Sequence, residues 1–137
     1  MNKITVIVPC YNEEQSLHFF YEEMERVAAE MKEVAFEYLF IDDGSKDKTL
    51  ECIHELKAKD EKVHYVSFSR NFGKEAAIYA GLSHASGDYV AIMDADLQDP
   101  PSLLPEMYHA VTEEGYDSAA KANRRSVPSL QDGFIIL

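Results

Sequence analysis

Four apolar, β-branched runs punctuate the chain: Ile4 to Val8, Tyr38 to Ile41, Val63 to Phe68 and Tyr89 to Met93. Between them the hydrophobic positions recur in steps of three and four, the period of a helix face. Leu17, Phe20, Tyr21, Met24, Val27, Ala28 and Met31 predict a helix between the first two runs, with Asn12 as N-cap and Glu13 and Glu14 near its positive end. A second helix carries the narrower stripe Leu50, Ile53, Leu56, with Ser45 as its cap. Gly73 to Ala85 has the small, apolar character of a helix lying close on a sheet. A fourth helix starts with Asp99 as N-cap and Pro100 in the first helical position, and buries Leu103, Leu104, Met107, Tyr108 and Val111. Tyr116 to Ala120 predicts the start of a fifth strand.

Strands alternating with helices predict an α/β fold whose right-handed crossovers build a mainly parallel sheet with helices on both faces. Such open sheets bind ligands outside the carboxyl ends of their strands. Polar clusters stand at each of those ends: Tyr11-Asn12-Glu13, Asp42-Asp43-Gly44-Ser45, Ser69-Arg70-Asn71 and Asp94-Ala95-Asp96.

The last cluster is chemically the most specific. Side chains alternate along an extended segment, so Asp94 and Asp96 share a side while Ala95 turns away. Two convergent carboxylates suit magnesium or manganese, which complete their shells with water and phosphate oxygens. An isolated Asp-x-Asp is more often a solvated acidic turn, but four polar clusters on one rim shift the balance toward a site.

Composition narrows the ligand. The 137 residues fit one domain, and no segment approaches the roughly 20 apolar residues of a membrane span. Met1-Asn2-Lys3 leads straight into a strand rather than a signal peptide, which sets a cytoplasmic location as the expectation. A formal charge of −12 excludes a general nucleic-acid binder. It also means that a diphosphate needs a cation between itself and the protein, because no Gly-x-x-x-x-Gly-Lys-Ser/Thr loop is present. Cys10 and Cys52 read as thiols, and the five histidines have no ligand spacing.

Taken together, Val6-Ile7-Val8-Pro9-Cys10-Tyr11-Asn12-Glu13-Glu14, Ile41-Asp42-Asp43-Gly44-Ser45-Lys46-Asp47-Lys48-Thr49, Ser69-Arg70-Asn71-Phe72-Gly73-Lys74 and Asp94-Ala95-Asp96-Leu97-Gln98-Asp99-Pro100-Pro101 resemble the family 2 inverting glycosyltransferases of GT-A fold. Within that family the polyprenyl- and dolichyl-phosphate sugar synthases are the most similar. The resemblance implies a Rossmann-like nucleotide-sugar-binding half, with Pro9, Tyr11 and Glu13 shaping the base pocket and Asp42 or Asp43 reading the base, most often uracil. It implies Asp94 near ribose and metal, Asp96 as a ligand of the magnesium or manganese ion, and Gln98 as a further ligand. It also implies that Arg70 and Lys74 contact phosphate or order their loop. The implied reaction moves a sugar from a nucleoside diphosphate to a polyprenyl phosphate or glycan, with inversion.

Structural roles compete for several of these residues. Asp43 and Ser45 suit a turn and a cap, Arg70 an ion pair with the acidic rim, Glu14 and Asp47 the helix dipole, and Tyr11 an aromatic lid. The resemblance covers about residues 3 to 117, the expected donor domain. The tail, 118 to 137, carries Lys121, Arg124, Arg125, Pro128 and a final Phe134-Ile135-Ile136-Leu137 and matches no recognised motif. The expectation is therefore a complete donor half without its acceptor half, acting within a transferase or as a nucleotide-sugar-binding module, with bare apolar surface suited to a homo-oligomer. A receiver-type signalling domain fits less well: it needs its acidic pair after the first strand, where Tyr11-Asn12-Glu13 stands.

Overall fold

The computed structural model describes residues 1–98, 100–113, 119–121 and 134–136. Strands β1 (Asn2–Cys10), β2 (Val34–Asp42), β3 (Val63–Ser67) and β4 (Tyr89–Ile92) alternate with helices α1 (Leu17–Glu30), α2 (Thr49–Lys59) and α3 (Lys74–His84). A short 3-10 turn, Pro101–Leu103, then leads into α4 (Leu104–Thr112). Two further strands, β5 (Ala119–Lys121) and β6 (Phe134–Ile136), complete a six-stranded sheet of order β3-β2-β1-β4-β6-β5. The first four strands are mutually parallel; β6 runs antiparallel to β4 and to β5.

The period-two alternation of β1 divides the core into two layers. Ile4, Val6 and Val8 face α1, α2 and α4, where they meet Leu17, Phe20, Met24, Val27, Ile53, Leu56, Leu104 and Met107. Ile7 points the other way, with Leu39, Ile41 and Ile92, against Ala77 and Ile78 of α3. Burying these side chains is worth roughly 1.5–3 kcal/mol each before chain entropy is subtracted. The α3 helix lies so close that a β-carbon on Gly81 would come 2.4 Å from the Ile7 side chain. Below that contact, buried Thr5 donates to Glu37 at 2.6 Å and accepts the Gly87 N–H at 2.8 Å, tying the α3–β4 connection to the sheet.

Two of the three helix caps predicted from the sequence, Asn12 and Ser45, differ from those observed. Asn12 stands outside α1 at φ 53°, with its N–H donating to Ser45 Oγ and its Oδ1 accepting from Lys46 N–H, each at 2.9 Å. Ser45 is thereby engaged across the loops, and Asp47 instead accepts Thr49 N–H at 2.9 Å at the start of α2. Tertiary contacts outcompete the local cap in both cases. Pro100 is extended, so helical geometry begins one residue later, at Pro101. Asp99, the expected cap of that helix, lies outside the described residues, as do positions 116 to 118 of the expected fifth strand. Among the described residues no helix is long and apolar enough to cross a membrane.

Candidate functional site

Chain order builds the site. From β1 the chain steps outward to β2 and β3, then crosses back to β4 on the other side of β1. The strand order thus reverses beside β1, and at such a switch point the connecting loops diverge and leave a crevice at the carboxyl ends. A cleft of about 300 Å³ opens there, lined by Pro9, Cys10, Tyr11, Glu13, Asp43, Lys74, Asp94, Asp96 and Gln98.

The loops around it are bonded to one another. Asp43 N–H donates to Cys10 C=O at 2.8 Å, and Glu13 N–H to Thr49 Oγ1 at 2.8 Å, where Asp47 accepts the Thr49 hydroxyl at 2.5 Å. Asp43, only 4% exposed, accepts the N–H groups of Phe72 at 2.8 Å and Gly73 at 3.1 Å, fixing the start of α3. From the first position of α3, the Lys74 ammonium reaches Asp94 Oδ1 at 2.7 Å. A continuous series of polar contacts therefore runs from the loop after β1 to the loop after β4.

The acidic pair converges by a turn rather than by strand alternation. Strand β4 ends at Ile92, Ala95 is fully buried, and Asp94 and Asp96 both line the cleft. Asp96 Oδ1 accepts Gln98 N–H at 3.1 Å around Leu97, which sits at φ 62°. A branched apolar residue at positive φ is uncommon and costs on the order of 1–3 kcal/mol. Leu97 is held there by packing on the larger core layer.

Charge is strongly unbalanced. Among the described residues, four carboxylates (Glu13, Asp43, Asp94 and Asp96) line the cleft with one ammonium, Lys74. Burial raises the Glu13 carboxyl above its ordinary range, and the charges of Asp96 and Asp94 push it the same way. Burial likewise lifts the Cys10 thiol well above its ordinary value, reinforced by Glu13, Asp42 and Asp94. Among the described residues no three acidic, cysteine or histidine side chains form a complete metal cage. A two-carboxylate seat with Gln98 nearby fits magnesium or manganese, whose remaining positions belong to phosphate and water.

The other candidate residues separate clearly. Pro9 and Tyr11 both line the cleft, and Tyr11 keeps 42% of its surface exposed. Asp42 is outside the lining; its Oδ1 accepts Ser45 N–H at 3.2 Å and closes its own turn. Arg70 is also outside, with its guanidinium 4.5 Å from the centre of the Phe72 ring. Sequence reasoning missed Cys10 as a lining residue and Asp47 and Thr49 as the clamp on the first loop. The Asp47-x-Thr49 spacing at a helix start was the available signal for that clamp.

A family model described as Glycosyl transferase family 2 matches residues 5–129. A bactoprenol glucosyl transferase of Shigella phage SfV is 48% identical over 105 residues, covering 77% of this chain and 34% of that protein. Among solved structures, S. aureus TarS 1-349 in complex with UDP-GlcNAc aligns over 93% of this chain and 37% of its own, with TM-score 0.66 and 25% identity. The Mycobacterium tuberculosis glucosyl-3-phosphoglycerate synthase in complex with Mn2+, UDP and phosphoglyceric acid aligns over 85% of this chain and 42% of its own, with TM-score 0.64 and 25% identity. The parallel sheet with helices on both faces is that of the GT-A glycosyltransferases. The chain spans about a third of the length of the curated relatives it matches.

Proposed function

Because the chain belongs to glycosyl transferase family 2, we propose that its cleft binds the nucleoside diphosphate of a sugar donor, a UDP-sugar, for inverting transfer to a polyprenyl phosphate or glycan. The observation that carries this proposal is the convergence of Tyr11, Asp43, Lys74, Asp94 and Asp96 on one cleft at the strand-order reversal. The relatives support the ligand class: a bactoprenol glucosyl transferase matches in sequence, and solved neighbours hold UDP-GlcNAc, or UDP with Mn2+.

Each side chain then has a chemical task. Pro9 and Tyr11 flank the base, with the Tyr11 ring free to stack. Asp43 is the base reader, since a carboxylate accepting two backbone N–H groups keeps lone pairs for an imide N–H. Its anchoring also fixes its aim. Lys74 offers an ammonium to the diphosphate, and Asp94 and Asp96, with Gln98 as a further ligand, hold the divalent cation. When bound, that cation neutralises charge between protein and diphosphate and stabilises the departing diphosphate. Glu13 adds negative field beside the pair and shapes the pocket floor. A polyprenyl phosphate acceptor is already an anion and depends less on a general base than a hydroxyl does.

Calorimetry with UDP, with and without MnCl2, tests the donor cleft: manganese is expected to tighten UDP binding about tenfold or more, at 1.4 kcal/mol per tenfold. UDP binding indifferent to manganese overturns it. Transfer from UDP-glucose to a short polyprenyl phosphate, measured on the whole protein, tests the acceptor.

A further inference from the structure

The 2.7 Å pair between Lys74 and Asp94 joins a prospective phosphate contact to a prospective cation ligand. We propose that Lys74 couples cation and diphosphate binding: its ammonium competes with a divalent cation for Asp94, and a diphosphate relieves that competition by giving Lys74 a second anionic partner. The inference rests on the donor-cleft assignment and adds an order of preference to it. The acidic cleft takes the cation poorly alone and well together with a diphosphate.

Three observations support the competition. First, the pair is partly withdrawn from water, with side-chain exposures of 31% for Lys74 and 19% for Asp94, so it is screened less than a surface pair. Second, the backbone beside Lys74 is fixed while its side chain is long. Asp43 holds the N–H groups of Phe72 and Gly73, so movement of the ammonium needs only rotation of its four-carbon stem. Third, among the described residues Lys74 is the single cation in a cleft lining that carries four carboxylates, so the position of its ammonium bears directly on the charge of that lining.

Competition at Asp94 has a thermodynamic consequence. A cation that displaces Lys74 must break an ion pair, and that cost falls when the released ammonium finds phosphate oxygens. By linkage, diphosphate then tightens cation binding by the same factor as cation tightens diphosphate binding. Exchange of a lysine between carboxylate and phosphate is the two-arrangement element that carries the coupling.

The test is a titration of the chain with MnCl2, followed by the paramagnetic signal of free Mn2+, with and without saturating UDP. Lys74→Gln is expected to tighten Mn2+ binding without UDP by about fivefold or more and to shrink the UDP enhancement by a similar factor. Lys46→Gln removes the same charge from the loop after β2 and is expected to change neither quantity by more than about twofold, because screened charges outside the pair act weakly. An unchanged or weaker Mn2+ affinity in Lys74→Gln, or an undiminished UDP enhancement, overturns the coupling. An equal effect of Lys46→Gln overturns it as well. A wild-type protein that binds Mn2+ and UDP independently, or that binds no UDP in either condition, removes the coupling and the donor cleft together. A wild-type enhancement that persists undiminished in Lys74→Gln removes the coupling alone and leaves the donor cleft standing.

Discussion

Gly44 lies against Arg70 so closely that a β-carbon on it would come 2.2 Å from the Arg70 carbonyl carbon. Its φ of 69° belongs to the left-handed region, so two independent constraints exclude a side chain. The contact keeps the loop after β2 against the loop after β3, where Asp43 reaches Phe72 and Gly73. Gly44→Ala is expected to cost about 2 kcal/mol or more, from backbone strain plus a clash with main chain. Urea unfolding measures this, and UDP binding should fall with it because Asp43 loses its support.

Asp96 separates function from stability. It is exposed, and an asparagine there retains an oxygen to accept the Gln98 N–H. Asp96→Asn is therefore expected to change unfolding free energy by no more than about 0.5 kcal/mol. Manganese-dependent UDP affinity should fall about tenfold or more with loss of the proposed anionic ligand. Calorimetry and a denaturant series on the same preparation check both halves.

Glu37 and Glu13, both partly buried, should give opposite pH signatures. Burial alone would raise Glu37, but hydrogen bonds from Thr5 and Ser86 and the charge of Lys3 outweigh it and lower the carboxyl. A carboxyl lowered by folding stabilises the protein above its unfolded value, about 4.3, and that contribution is lost as pH falls through the folded value. The advantage of wild type over Glu37→Gln in melting temperature should thus be full at pH 7 and shrink progressively as pH falls below about 4.

Glu13 has the reverse sign, raised by burial and by Asp96 and Asp94. Folding favours its protonated form, so stability from this group is full below the unfolded value and is lost as pH rises through the folded one. Glu13→Gln should melt higher than wild type at pH 7, with the gap closing toward about pH 4. A variant that melts lower across the whole range would refute this account of the cleft floor.

Gly81 tests how closely α3 packs on the sheet. An added β-carbon would come 2.4 Å from Ile7 Cγ2, a side-chain contact in a full core. Gly81→Ala is expected to cost about 1–3 kcal/mol despite the better helix propensity of alanine. Combining it with Ile7→Ala, which deletes Cγ2 and the other contacting atoms, should cost less than the sum of the two single changes; a double-mutant cycle reads the coupling.

Sequence patterning disclosed the larger features because each rests on repeated local signals. Ile4 to Val8 and the Leu17-to-Met31 stripe each carry several consistent positions, and the parallel sheet follows from their alternation. The Asp94 and Asp96 pair was legible too, although a turn rather than an extended segment brings it together. What escaped depends on contacts between loops distant in sequence. Asn12 and Ser45 look like caps until the fold sets them against each other, and Leu97 carries no local mark of its positive φ. Phe134 to Ile136 is too short for periodicity to identify as a strand.

The placement of β1 between β2 and β4 also shapes how the protein is made. One edge of Ile4 to Ile7 finds its partner in β2, but the other waits for Tyr89 to Ile92. During synthesis that β-branched edge leaves the ribosome long before its neighbour exists, and late, non-local strand pairing folds slowly. A nascent chain halted ahead of Tyr89 would thus present an open edge to other chains, making this stretch a natural place for chaperone protection.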